Sequence, residues 1–273
     1  MSATPYVCGH SGRELDRLDL QGAVFRDITR RVLEAAGLSA GMRVLDVGCG
    51  AGDVSLVAAE LVGERGSVLG VDRAPASIQA ATARAVAQHL RHVTFQVGEI
   101  SDLGLLDVDA LIGRFVLMHQ PDPAATLRAA ARAVRPGGVV AMLESHLAGA
   151  AAGVHSHPHS ATYDLLLHWI VRVLKAAGVH TDMGLRLPGT FAAAGLARPS
   201  AWWQARVDTG PDSPIYRYMA ESVRSMFPLA RHYGISGLVQ TELDGLESRL
   251  RAEVMQSSGV VTSPPVVGAW CRT

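Results

Sequence analysis

Apolar positions recur at helical spacing over residues 14–36, at Leu20, Val24, Ile28, Val32 and Leu33, with Leu15 and Leu18 ahead of them. This predicts one or two helices, ended by Gly37 and the turn at Gly41. From residue 43 the period changes. Residues 43–47 read as a buried strand, and 67–71, 93–97, 110–113 and 139–143 as further strands, the fourth extending into 115–118. Helical segments at 54–62, 75–89 and 123–134 lie between them. Asp53 is placed as the N-cap of the first, and Pro75 and Pro123 suit the opening turns of the other two. Strands alternating with helices imply a parallel sheet with right-handed crossovers.

Beyond Glu144 the alternation stops. Residues 145–160, rich in Gly, Ala, Ser and His, read as a loop. Helices follow at 162–177 and 187–194, then a sixth strand at 201–207. Residues 214–256 read as helical, broken near Pro228 and Gly234, and a last strand runs over 266–272. The expected class is α/β: a seven-stranded, mostly parallel sheet with helices on both faces. Two insertions, 145–180 and 210–262, are expected to form a helical cap. Residues 1–273 are read as a single domain, with 1–40 as a helical lid and 41–144 as the ligand-binding core.

Composition narrows the partners. Hydrophobic residues make up 48% of the 273, enough for a sizeable core. The formal net charge is zero, so no overall attraction draws the chain to nucleic acid or anionic lipid, and neither is expected as a partner. A homodimer is left open. Cys8, Cys49 and Cys271 are too few and too scattered for a disulfide framework or a metal pair, which suits a reducing cytoplasm. No basic leader with an apolar run opens the sequence, and no apolar stretch reaches membrane-spanning length.

The densest chemical signal is VLDVGCGAGD at residues 44–53, where a strand turns into a helix. Gly48 and Gly50 allow a ligand to approach the backbone, and Gly52 lets helix pack on strand. A dinucleotide loop has the spacing G-x-G-x-x-G. Here it is G-x-G-x-G, followed by Asp53, a carboxylate expected to repel a diphosphate. Asp46 adds a second carboxylate, so the turn suits a cationic ligand without phosphate. Asp72, at the end of the second strand, stands where an acid can accept hydrogen bonds from ribose hydroxyls.

On these residues the chain resembles the class I S-adenosylmethionine-dependent methyltransferases, well over 41–144 and loosely elsewhere. The resemblance implies a Rossmann-like fold, S-adenosyl-L-methionine as cofactor, and methyl transfer. It implies that Asp46, Gly48, Cys49 and Gly50 hold the methionine part, and Asp72 the ribose, with Arg73 beside it. Gly98-Glu99-Ile100 stands at the family's Gly-Asp-Ala step, which implies Glu99 at the adenine amino group and Ile100 near the ring. Glu in place of Asp lengthens the reach. GRFVLMHQPDP at 113–123 matches the segment after strand four, with the main chain of Arg114 and Phe115 toward the methionine end. RPGG at 135–138 matches the turn before strand five. In related enzymes an N-terminal segment closes over the cofactor, which implies that Tyr6 and Gln21 line its pocket.

An activated methyl group asks the protein mainly to position a nucleophile and exclude water. A base is needed only if the acceptor must lose a proton. His119, after strand four, is the first candidate for acid–base or orienting work, against the alternative of a structural histidine. Glu144 and His146 are further candidates, and Glu144 can instead bind a backbone amide. His155, His157 and His159 read as a polar loop, and no metal is expected. Trp169, Trp202, Trp203, Tyr216, Tyr218, Met219 and Phe227 suit either an apolar pocket or cap packing. The expected reaction is methylation of O, N or C of a small, apolar metabolite, as in secondary metabolism. The competing readings are an S-adenosylmethionine-binding protein that transfers no methyl and a nucleotide-dependent oxidoreductase.

Overall fold

The computed structural model describes residues 12–100, 104, 106–147 and 155–273. The chain divides into two compact units. One holds Phe25–Ser145, Met183–Gln204 and Val266–Thr273; the other holds the described residues up to Val24, His146–Asp182 and Ala205–Pro265. Helix α1 (Gly12–Ala36) is a single helix that contributes to both.

The first unit is built on a sheet of seven strands: β1 (Arg43–Val47), β2 (Ser67–Asp72), β3 (Val93–Val97), β4 (Val108–Arg114), β5 (Val134–Ser145), β7 (Ser200–Gln204) and β10 (Val266–Arg272). Their spatial order is β3-β2-β1-β4-β5-β10-β7. The first five are parallel, and β10 runs antiparallel to both β5 and β7. Leu45, Leu111, Ile112 and the run from Val139 to Leu143 are fully buried. Such continuous apolar runs are what strands covered on both faces require. Helices α2 (Asp53–Val62) and α3 (Pro75–Ala87) pack on β1, β2 and β3; α4 (Pro123–Ala131) and α6 (Met183–Ala193) pack on β5 and β10. At the amino ends of the strands, Asp109 accepts from the amide of Arg43 at 2.7 Å and from Arg135 Nε at 2.6 Å. The amide bond first, then the guanidinium, holds this carboxyl below its ordinary value.

The second unit packs α5 (Ala161–Ala176), α7 (Pro214–His232) and α8 (Leu246–Gln256) together. A small antiparallel sheet joins them, formed by β6 (Ser156–His157), β8 (Val207–Thr209) and β9 (Val260–Thr262) in the order β6-β9-β8. Ser160 and Ser213 cap α5 and α7 by accepting from the amides of Tyr163 and Ile215.

The structure corrects several expectations. Strand four does not continue into 115–118: Phe115 turns left-handed at φ 58, and Leu117–His119 form a 3₁₀ turn. The segment 135–138 lies within β5 and shifts its register against β4 between Val108 and Ala110. Residues 201–207 divide between two sheets, and Ser156–His157 pair with β9 in a stretch expected to be loop. Pro228 does not break α7, because residues on both sides of it are buried against α5 and α8. Asp53 is the first helical residue of α2; the cap position is Gly52, left-handed at φ 86.

Gly268 lies where β10 meets α1, and a Cβ there would come within 2.5 Å of Val32 Cγ2 and 2.7 Å of Cγ1. Gly268→Ala is therefore expected to destabilise the fold by about 1–3 kcal/mol through overpacking, as read by urea unfolding. A stability equal to wild type would refute this contact.

Candidate functional site

Strand order reverses between β1 and β4, and ligands of open α/β sheets bind beyond the carboxyl ends of the strands at such a point. The turn after β1 carries Gly48, Gly50 and Gly52, all at positive φ. A Cβ at Gly48 would stand 2.7 Å from Val116 Cγ2, so the turn presses directly on the segment after β4. The amide of Cys49 donates to Val71 O at 3.1 Å, which continues the β1–β2 ladder into the turn. Burial, and then the nearby carboxylates of Asp46 and Asp72, push the Cys49 thiol far above its ordinary range, which disfavours the thiolate.

Three carboxylates surround this turn, each in a different state. Asp72, at the end of β2, takes the Gly50 amide on Oδ2 and the Ala74 amide on Oδ1, each at 2.9 Å. It thereby joins the glycine turn to the start of α3. Asp53 pairs with Arg84 at 2.8 Å and with Arg114 at 3.9 Å. Its charge is matched inside the protein, so repulsion of a diphosphate by Asp53 no longer carries the selectivity argument. That argument passes to Asp46, which is fully buried on β1. Its Oδ2 accepts from Ser55 at 2.6 Å, and its Oδ1 has no partner. Burial pushes its pKa up to about 7, against the opposing pull of Ser55 and Arg114. A buried acceptor without a donor, beside a glycine turn, fits a ligand bearing an ammonium group and no phosphate.

Past β4, the Arg114 guanidinium turns inward. It donates to Thr29 Oγ1 at 2.9 Å and lies 5.5 Å from the centre of the Phe115 ring. Phe115 meets Phe25 edge-on with centroids 5.2 Å apart. A left-handed phenylalanine is strained, and such strain gathers where a backbone shape is needed. Glu144, near the end of β5, is fully buried. It accepts from the amides of Val116 at 3.0 Å, Leu117 at 2.7 Å and Met118 at 3.3 Å. Burial raises its pKa to about 8, while the three amides pull it down. With both oxygens engaged, it serves the backbone and not a substrate. His119, half-buried, closes the 3₁₀ turn.

The structure gathers Asp46, Gly48, Cys49, Gly50, Asp72, Arg114 and Phe115 at the carboxyl edge of β1, β2 and β4. Gly98 donates to Asp72 O at 3.0 Å, which sets Glu99, exposed, and Ile100, half-buried, just past β3. Arg73 is exposed beside Asp72. Gln21 lies on α1, in the other unit, and takes a hydrogen bond from Arg17 at 2.8 Å. Tyr6 lies outside the described residues. Ser55, Arg84 and Thr29 escape sequence reasoning: each acts on a partner on another element, with no motif to announce it.

Trp169 and Phe227 stack with centroids 6.3 Å apart, and Tyr216 and Met219 are buried in the first turns of α7. They form the interior of the second unit. Trp202 and Trp203, on β7, are instead exposed. His155 stacks on Tyr163 and His159 pairs with Asp164 at 2.8 Å; among the described residues no group of three or more His, Cys, Asp or Glu could hold a metal ion. No described helix is long and apolar enough to cross a membrane.

The chain is similar in sequence and in fold to known proteins. The family model for a methyltransferase domain matches residues 38–175. Aklanonic acid methyltransferase of Streptomyces sp. strain C5 is 32% identical over 48% of this chain, and the match spans 60% of that protein's length. Nocamycin O-methyltransferase of Saccharothrix syringae is 30% identical over 63% of this chain and 73% of its own. The YcgJ protein of Bacillus subtilis shares the fold, with a TM-score of 0.55 at 18% identity over 88% of this chain and 96% of that one. The chain belongs to the class I S-adenosylmethionine-dependent methyltransferases, and S-adenosyl-L-methionine is its cofactor.

Two measurements probe this site. Without ligand, the folded chain keeps the Asp46 proton well above the carboxyl's ordinary value of 3.8, whereas the unfolded chain gives it up there. Wild-type stability is therefore expected to fall relative to Asp46→Asn as pH rises from about 4 to about 7. Urea unfolding at both ends of that window reads the difference, and a constant difference refutes it. Asp72→Ala is expected to weaken S-adenosylhomocysteine binding by about 1–3 kcal/mol in calorimetry, the scale of losing a buried polar partner. Unchanged affinity would remove Asp72 from the site.

Proposed function

We propose that this protein methylates a small, apolar metabolite, with oxygen favoured as the acceptor atom. The observation that carries the proposal is the unpartnered, buried Oδ1 of Asp46 beside the glycine turn. It supports binding of a cationic, phosphate-free cofactor at that turn. The relatives support a small acceptor, and the one matched over 73% of its length is named an O-methyltransferase. Bound at this site, S-adenosyl-L-methionine would supply a methyl group already activated on a sulfonium.

The chain's own residues then have limited tasks. Asp46 would hold the ammonium end, with Gly48, Cys49 and Gly50 offering the backbone around it. Asp72 would brace the turn and meet the ribose, with Arg73 alongside; Glu99 and Ile100 would receive the adenine. The main chain of Arg114 and Phe115 would border the methionine end. Tyr6 and Gln21 are the proposed lid residues. His119 would orient the acceptor and take up its hydroxyl proton.

Incubation with methyl-labelled S-adenosylmethionine and apolar acceptors bearing hydroxyl, amine or activated carbon groups tests the reading. Labelled methyl ether or ester is the expected product. Cofactor binding with no labelled product from any acceptor would favour a binding protein that transfers no methyl. His119→Ala is expected to lower kcat by about 10² with cofactor affinity intact; an unchanged kcat would remove it from the chemistry.

A further inference from the structure

We propose that Glu144 is a positioning residue for the cofactor, acting through the main chain of Val116–Met118 on the glycine turn. The inference rests on the cofactor reading above. A three-residue 3₁₀ turn has little stability of its own, and its leading amides have no partners within it. Val116, at the cap position, supplies no side-chain bond, and residues 113–120 contain no Ser, Thr, Asp or Asn that could cap locally. The acceptor comes instead from the next strand of the sheet, where one carboxylate takes three successive amides.

An apolar side chain in the same space would leave these three amides without an acceptor. What the acid adds is a fixed geometry, and two contacts show where that geometry is used. Immediately before the clamped amides, Phe115 is held left-handed. The first clamped residue, Val116, occupies the space that a side chain at position 48 would fill. Glu144, Val116 and Gly48 thus form a continuous chain of contacts from the end of β5 to the turn that faces the ligand. If the clamp is released, Val116 is free to shift against Gly48, and Phe115 can relax from its strained conformation.

Calorimetry with S-adenosylhomocysteine on wild type, Glu144→Ala and Glu144→Gln tests this, with thermal unfolding and amide exchange over residues 114–120 alongside. Glu144→Ala is expected to weaken binding about tenfold or more, the scale of one hydrogen bond lost at a bound ligand. Glu144→Gln keeps a carbonyl oxygen for Val116 and Leu117 and should restore affinity to within about threefold. The amides of 116–118 should exchange slowly in wild type and Glu144→Gln even without ligand, and fast in Glu144→Ala. Wild-type affinity in Glu144→Ala would overturn the proposal. So would fast exchange at 116–118 in unliganded wild type, a measurement that decides the matter even if the alanine variant does not fold. A wild type that binds no S-adenosylhomocysteine would instead take down the cofactor reading, and this inference with it.

Discussion

The amides of Gly50 and Ala74 meet the two oxygens of one side chain, Asp72, and the cofactor edge depends on that joint. A turn with three glycines at positive φ has little to hold it, since glycine loses more freedom on ordering than any other residue. Here the parallel register of β1 and β2 brings Asp72 beside the turn, and the Cys49 amide continues the ladder one step beyond β1. The turn is therefore an extension of the sheet rather than a free loop. Its opposite side rests on Val116, whose own amide is fixed by Glu144.

The electrostatics of the edge follow from burial more than from a count of charges. Asp46, Asp53 and Asp72 lie close together in sequence or across one turn, yet they present very different faces. Arg84 and Arg114 match Asp53; backbone amides occupy Asp72; burial holds Asp46 near neutrality with one oxygen unsatisfied. Only the last of these leaves a buried acceptor with no donor, which is why it discriminates between ligands better than the number of acids does.

Much of this was legible in the sequence where the signal was local. The bounds of β1, β3 and β10 follow directly from short runs rich in Val and other strand-forming residues, set off by turn residues. The tight turn at Gly48 and Gly50 was legible because its glycines fall within one short motif. Failures arose where tertiary contacts override local pattern. Val116, Leu117 and Met118 read as strand because they are apolar, but the acid that curls them lies near the end of β5. Asp53 read as a cap because its type suits one, yet the left-handed Gly52 takes that place. β6, β8 and β9 are too short to leave a period, and nothing in the spacing of Arg84 announces its bond to Ala51 O or its pairing with Asp53.

The placement of β10 has a consequence for how the chain reaches its final form. This strand sits inside the sheet, between β5 and β7, although α7 and α8 intervene between β7 and β10 in sequence. Among the described residues, β7 pairs with the sheet through β10 alone. The parallel half can assemble from neighbouring segments, but the far edge must wait for a late segment to slot into place. Loop closure over that distance is slow relative to local pairing. Until it happens, the flank of β5 that will receive β10 stays open to whatever other strand is at hand.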